Sequence, residues 1–75
     1  MAAFTAGDYG SAEQLFVAFE TAHPNDQRVE DATFLRAVAR SRRGDRAGAS
    51  QLAAEYLRRY PKGLRRFEAE ELRGP

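Results

Sequence analysis

The chain has 75 residues and a mass of 8.4 kDa, the size of one small domain. It is 43% hydrophobic and 31% charged and has no cysteine, which excludes a disordered chain, a disulfide scaffold, a thiolate zinc site and a cysteine nucleophile. The net charge of +1 divides unevenly, because residues 1–35 hold one base against six acids and residues 36–75 hold eleven bases against five acids.

Two helices are predicted in the first half of the chain. The first begins at Asp8, whose carboxylate can cap free backbone amides, and its apolar residues recur every three or four positions until Pro24 ends it. Asn25 or Asp26 is predicted to cap the second helix, which ends at Gly44. Apolar residues lie on more than one side of this second helix, so we expect it to pack between two neighbours.

Two further helices are predicted in the second half. The third follows Asp45 and covers about residues 46–59, until Pro61 ends it. A short fourth helix is predicted over residues 64–73, and residues 1–6 have the pattern of the last turn of a preceding helix. The predicted fold is therefore all-α, with three main helices and a short C-terminal helix.

The chain contains an internal repeat. Residues 7–26 align with residues 44–63 without a gap, at an offset of 37 residues and with six identities in twenty positions. A fixed period of this size is typical of stacked helical units that bury a surface against their neighbours. We expect Ala12 and Ala49 to lie where two helices cross closely. We also expect large rings to fill the spaces between hairpins, namely Phe16, Phe19, Phe34, Tyr56 and Phe67.

Ten positions mark the turns, crossings and helix ends of the two units. They are Gly7, Asp8, Tyr9, Ala12, Phe16 and Pro24 in the first unit, and Gly44, Asp45, Ala49 and Pro61 in the second. This pattern resembles the tetratricopeptide repeat family, whose common period is about 34 residues. The resemblance implies antiparallel hairpins stacked as a short right-handed solenoid over residues 1–75. From the residues themselves, no cofactor, metal site or catalytic residue is expected.

The longer period and the closing sequence RRYPKG resemble a bacterial cell-envelope branch of this family, which includes the periplasmic coordinator of the Tol–Pal system and the outer-membrane assembly lipoprotein. A periplasmic or envelope location is therefore expected, with a cytoplasmic location left open. The sequence holds one and a half to two repeats, fewer than the roughly three that stable arrays need. We therefore expect a fragment or terminal module of a longer chain, or a unit that pairs with another copy.

Arginines are the best candidates for partner binding. Arg36, Arg40 and Arg43 are spaced to lie along one side of the second helix, and Arg65 and Arg66 follow in the next unit. In the family the corresponding helix lines a groove for peptides, so the hypothesis is a basic groove that binds an acidic peptide. The alternative is a solvated surface whose charges pair with Glu30, Glu55 or Glu68.

The sequence leads to two hypotheses for the function, which belong to different classes. The first is a non-catalytic adaptor that binds a peptide segment of a protein in a bacterial envelope complex. The second is a structural module that associates with itself through the open ends of the solenoid, at residues such as Phe4 or Phe67. An enzyme is not expected, because no base or metal-ligand set surrounds His23. Nucleic acid is not expected as a partner, because the net charge is balanced. The sequence contains no run of about 18 apolar residues, so no membrane-spanning segment is expected.

Overall fold

The computed structural model describes residues 8–74, and within this range the chain is 76% helical and contains no strand. Four helices follow one another: α1 (Tyr9–Ala22), α2 (Arg28–Arg42), α3 (Arg46–Arg59) and α4 (Arg66–Arg73). The all-α prediction, with three main helices and a short fourth helix, is confirmed. The helical turn predicted for residues 1–6, together with Gly7 and Phe4, lies outside the described residues.

The sequence repeat is also a conformational repeat. The Oδ1 atom of Asp8 accepts a hydrogen bond from the Ser11 amide at 3.1 Å, and that of Asp45 accepts one from the Gly48 amide at 2.9 Å. The two aspartates have nearly the same backbone angles, φ −85°, ψ 77° and φ −88°, ψ 77°. The residues that end α1 and α3 also agree, with φ −134°, ψ 60° and φ −131°, ψ 66°. The starts and ends of α1 and α3, 37 positions apart, therefore have the same local structure.

The starts of α2 and α4 depend on residues outside the simple capping pattern. Gln27 precedes α2 without capping it, while Asp26 Oδ1 accepts a hydrogen bond from the Arg28 amide at 2.8 Å. Helix α4 begins at Arg66, two residues after the predicted start. The reason is that the amides of Leu64 and Arg65 donate to side chains of α2 and α3. Gly44 ends α2 with a φ of +90°, a left-handed conformation that favours glycine.

Consecutive helices pack against each other in antiparallel pairs. Glu13 near the start of α1 contacts Arg40 near the end of α2, and Glu30 at the start of α2 contacts Tyr56 near the end of α3. Helix α4 packs against α3 and also contacts α2. As predicted, α2 lies between two neighbours, α1 and α3.

Two apolar clusters form the core. Ala12, Phe16 and Ala32 join α1 to α2, with Phe19 and Leu35 packed against them. The larger cluster joins α2, α3 and α4, and its buried members are Phe34, Ala37, Leu52, Ala53, Tyr56 and Ala69. Leu35 packs against both clusters, so the two clusters are continuous with each other.

One of the five rings predicted to fill the core does not do so. Phe16, Phe34 and Tyr56 are buried and Phe19 is half-buried, but Phe67 is 70% exposed. The prediction was wrong for Phe67 because α4 packs on α3 through Ala69, and Phe67 lies on the other side of this short helix. Leu64, just before α4, is 85% exposed, and Val17 and Leu15 of α1 are also exposed.

We expect Ala49→Leu to lower the free energy of unfolding by about 1–3 kcal/mol, because Ala49 is buried and a larger side chain overpacks the space around it. Ala47→Leu is the matched control, since Ala47 is exposed on the same helix and should change stability by less than about 0.5 kcal/mol. Urea unfolding followed by circular dichroism measures both. Equal stability of the two variants would contradict the close crossing at Ala49.

Candidate functional site

Arg36 and Arg40 of α2 and Arg43, the residue just after its end, lie on the same side of the helix, where each contacts a carboxylate of α1. Arg36 Nη1 donates to Glu20 Oε2 at 3.0 Å, and Arg40 Nε donates to Glu13 Oε1 at 2.7 Å. Arg43 Nη1 lies 3.7 Å from Glu13 Oε1. The predicted spacing is therefore present, but the three arginines hold α1 against α2.

The carboxylates in these pairs are partly or fully buried. Glu13 is 7% exposed, and its pairing with Arg40 raises the pKa of that guanidinium above its ordinary value. Arg40 also donates to Asp45 Oδ2 at 3.0 Å, and these contacts connect α1, α2 and the cap of α3. Because a buried carboxylate is unfavourable without a partner, the arginines stabilise the fold.

Glu20 of α1 is the second carboxylate that joins this helix to its neighbours. It accepts hydrogen bonds from Arg36 and from Thr33 Oγ1, and Arg59 Nη1 of α3 lies 3.7 Å from its Oε1. Arg36 Nε is buried without a hydrogen-bond partner among the described residues. The carboxylates proposed as alternative partners, Glu30, Glu55 and Glu68, are not those that pair with the arginines of α2. Peptide binding by these arginines stays a prediction.

Arg65 and Arg66 lie in another region, at the start of α4. Arg65 lies 3.8 Å from Asp31 and 3.4 Å from Glu68, and its guanidinium is 5.6 Å from the centre of the Phe34 ring. Arg66 Nη1 donates to the Gly63 carbonyl at 3.0 Å. The five candidate arginines are therefore divided between the α1–α2 contact and the start of α4.

The signature residues of the two units have structural roles within the described range. Ala12, Phe16 and Ala49 are buried between helices, and Tyr9 is half-buried at the start of α1. Pro24 follows the end of α1, and Pro61 follows the end of α3 at the equivalent position. These placements account for the repeat pattern through packing and helix termination.

A buried tyrosine organises the segment that leads into α4. Tyr56 Oη donates to Glu30 Oε2 at 2.6 Å and accepts a hydrogen bond from the Arg65 amide at 2.9 Å. The Leu64 amide donates to the same Glu30 oxygen at 3.0 Å. Burial and the hydrogen bond to Glu30 raise the pKa of Tyr56 to about 12. A Cβ atom at Gly63 would collide with the Tyr56 hydroxyl, so this close approach needs glycine.

An apolar groove of about 320 Å³ lies between α1 and α2. Sequence reasoning missed it because Leu15 belongs to the apolar stripe of α1, which was expected to be buried. Leu15 is in fact 55% exposed, whereas Leu52, its counterpart one repeat later, is 8% exposed. The groove is lined by Leu15, Phe16, Phe19, Ala32 and Leu35, together with the charged residues Arg28 and Asp31.

Among residues 8–74 no group of three or more histidine or acidic side chains is placed to hold a metal ion. His23 packs its ring 5.2 Å from that of Phe19, as Tyr60 packs 5.3 Å from Tyr56 one repeat later. No helix in the described part of the chain is long and apolar enough to cross a membrane. The chain matches no protein-family model, and neither a curated protein nor a solved structure is significantly similar to it.

Tyr56 makes stability depend on pH in the alkaline range. Its pKa is above the ordinary value of 10.0 in the folded chain, so its contribution is complete below pH 10 and is lost as pH rises towards about 12. We expect Tyr56→Phe to remove this part of the alkaline decrease, and to cost about 1–2 kcal/mol at neutral pH because Glu30 and the Arg65 amide lose a partner. Urea unfolding at several pH values measures both effects.

The ion pairs of α2 predict a large effect of one arginine. We expect Arg40→Ala to lower the free energy of unfolding by about 1–3 kcal/mol, because Glu13 then stays buried without the hydrogen bonds that Arg40 donates to it. Arg58→Ala, an exposed arginine of α3, should change it by less than about 0.5 kcal/mol. Thermal and urea unfolding give both values. If the two variants unfold alike, the buried ion pair does not stabilise the fold.

Proposed function

We propose that this chain is a non-catalytic protein-interaction module made of stacked helical hairpins of the tetratricopeptide type. Its docking surface is the apolar groove between α1 and α2. The observation that carries the proposal is the exposure of Leu15, which is 55% exposed at a position whose counterpart Leu52 is in the core. A large exposed aliphatic side chain beside an apolar groove favours contact with another protein.

The second unit of the chain supports this assignment. At an offset of 37 residues, the groove residues Leu15, Ala32 and Leu35 correspond to Leu52, Ala69 and Leu72. In the second unit these residues lie in or against the core cluster that Phe34 and Ala37 of α2 complete. The α1–α2 groove is thus one half of a helix-packing interface that the same chain elsewhere covers with a helix.

The charges of α1 support the same surface. Glu13 and Glu20 are the two charged residues of this helix, and both are paired with arginines of α2. The side of α1 beside the groove therefore carries only uncharged residues, and the charged residues that line the groove, Arg28 and Asp31, belong to α2. In contrast, an acidic peptide at Arg36, Arg40 and Arg43 would have to displace carboxylates of α1, so we place docking at the groove.

The resemblance to envelope proteins keeps a bacterial envelope complex as the expected setting. The proposed adaptor needs no cofactor, and its partner is a protein segment that presents apolar side chains in a helix. Such a helix would cover the groove as α2 covers the equivalent residues of α3 and α4.

Leu15→Glu tests the docking surface. We expect the wild-type chain, used as bait in cytoplasmic and envelope fractions of a bacterial lysate, to retain a discrete protein that the variant loses by at least about tenfold, because a carboxylate would be buried in the contact. Gln14→Glu is the matched control, with the same new charge at the neighbouring exposed position of α1. Circular dichroism should show the same helix content for all three chains.

Retention of the same protein by Leu15→Glu would contradict the groove as the docking surface. The triple change of Arg36, Arg40 and Arg43 to glutamate is a poorer test, because it would place three carboxylates beside Glu13 and Glu20 and is expected to unfold the chain.

A further inference from the structure

The two ends of the described helix stack are complementary. Helix α4 corresponds to α2 one repeat later, since Arg65, Ala69 and Leu72 repeat Arg28, Ala32 and Leu35. By the same offset α3 corresponds to α1. Within the described range, α4 thus corresponds to α2 but is not followed by a helix that corresponds to α3. Likewise, α1 corresponds to α3 but is not preceded by a helix that corresponds to α2.

We infer that the occupant of the α1–α2 groove is a second copy of this chain, docked head to tail, with α4 of one copy seated against α1 and α2 of the next. This inference rests on the proposed docking surface and names its partner. It predicts the contacts, because the packing of α2 on α3 and α4 within one chain is the template for the packing of α4 on the next copy.

Tyr56 and Phe34 define the centre of this template. Glu30 of α2 accepts the hydrogen bond of Tyr56 in α3, and the Phe34 ring lies 6.0 Å from the Tyr56 ring at 66°. Asp31 of α2 lies 3.8 Å from Arg65 at the start of α4. The contacts between two copies follow from this template. Each residue of α2 is replaced by the residue 37 positions later, in α4 of one copy, and each residue of α3 or α4 by the residue 37 positions earlier, in α1 or α2 of the next copy.

The shifted central contact joins two apolar rings. Phe67 takes the position of Glu30, and Phe19 of the next copy takes the position of Tyr56. A carboxylate and a phenol are thus replaced together by two phenylalanines, so the contact keeps its chemical complementarity. Phe67 is 70% exposed in the single chain, and burial against Phe19 would remove this apolar ring from water.

The shifted charged contact is also complementary. Glu68 takes the position of Asp31, and Arg28 of the next copy takes the position of Arg65. Glu71 takes the position of Phe34, whose ring contacts both the Arg65 guanidinium and the Tyr56 ring in the template, and would therefore lie beside Arg28 and Phe19 of the next copy. The Arg28 guanidinium is paired with Asp26 at 2.9 Å in the single chain, but its side chain is 75% exposed and accessible to both carboxylates. Two acids of α4 would thus meet one base of the next copy.

This association joins two different surfaces, so it is heterologous. Each copy would use α4 to bind one neighbour and its α1–α2 groove to bind another, and growth continues unless the chain of copies closes into a ring. Variants that block one end should therefore not associate with themselves, yet should associate with variants that block the other end.

Leu15→Glu and Phe67→Glu test this property by sedimentation velocity of the full 75-residue chain at about 10 µM to 1 mM. The wild-type chain should show a mass that rises with concentration beyond that of a dimer. Each variant alone should be monomeric. Their equimolar mixture should form a dimer and nothing larger, because only one intact groove and one intact α4 can meet. Gln14→Glu should behave as the wild-type chain.

The charged contact has its own test. Arg28→Glu should weaken association by about tenfold, and the addition of Glu68→Arg to the same chain should restore part of it because the two reversed charges face each other. Glu55→Arg, a charge reversal on α3, should not restore it. Failure of Glu68→Arg to improve on Glu55→Arg would overturn the proposed register.

Three other outcomes would overturn the inference. They are a wild-type chain that stays monomeric throughout, a mixture of the two blocked variants that stays monomeric, and self-association that Phe67→Glu leaves intact. If the chain is monomeric but Leu15→Glu still loses a different protein from the lysate, the proposed docking surface stands and only its occupant is wrong. If neither self-association nor another protein depends on Leu15, the proposed function fails as well.

Discussion

The buried hydroxyl of Tyr56 is the constraint on which the second half of the chain depends. A phenol with no exposed surface needs a hydrogen-bond acceptor inside the protein, and Glu30 of α2 supplies it. The same oxygen atoms then bind the amides of Leu64 and Arg65, which sets the path of the chain between α3 and α4. Gly63 leaves room for this contact. The Tyr56 hydroxyl thus joins three helices, and the position of α4 depends on contacts with α2 as well as with α3.

The first unit has the same helix ends as the second, but a different side chain at the position equivalent to Tyr56. Phe19 replaces Tyr56, so its ring needs no acceptor and a partner at this position can be wholly apolar. Phe67 replaces Glu30 in α4 in the same way. The repeat therefore keeps its helix ends and crossings, while the residues at the positions of Glu30 and Tyr56 change from polar to apolar. The polar pair lies inside the chain, and the two phenylalanines lie in the first and last helices of the described range.

Local structure was predictable from the sequence, and the pairing of distant residues was not. Asp8, Asp45 and Gly44 act on backbone groups within four residues of themselves, so the bounds of α1 and α3 follow from the sequence. The start of α4 depends on a hydroxyl about ten residues earlier and a carboxylate still further away, which no local pattern reveals. For the candidate site, the spacing placed the arginines on one side of α2 correctly. It did not show that Glu13 and Glu20 of α1 would pair with them.

The two equivalent helices also differ in the charge of their other residues. Where α3 carries Glu55, Arg58 and Arg59, α1 carries Ala18, Thr21 and Ala22. Because α1 uses both of its charges in contacts with α2, its remaining surface is neutral, although 31% of the whole chain is charged. A neutral surface with one exposed leucine loses little hydration when another helix covers it, whereas the charged surface of α3 favours water. The ion pairs hold Arg36 and Arg40 against α1, and the docking surface that we propose is therefore the apolar groove beside them.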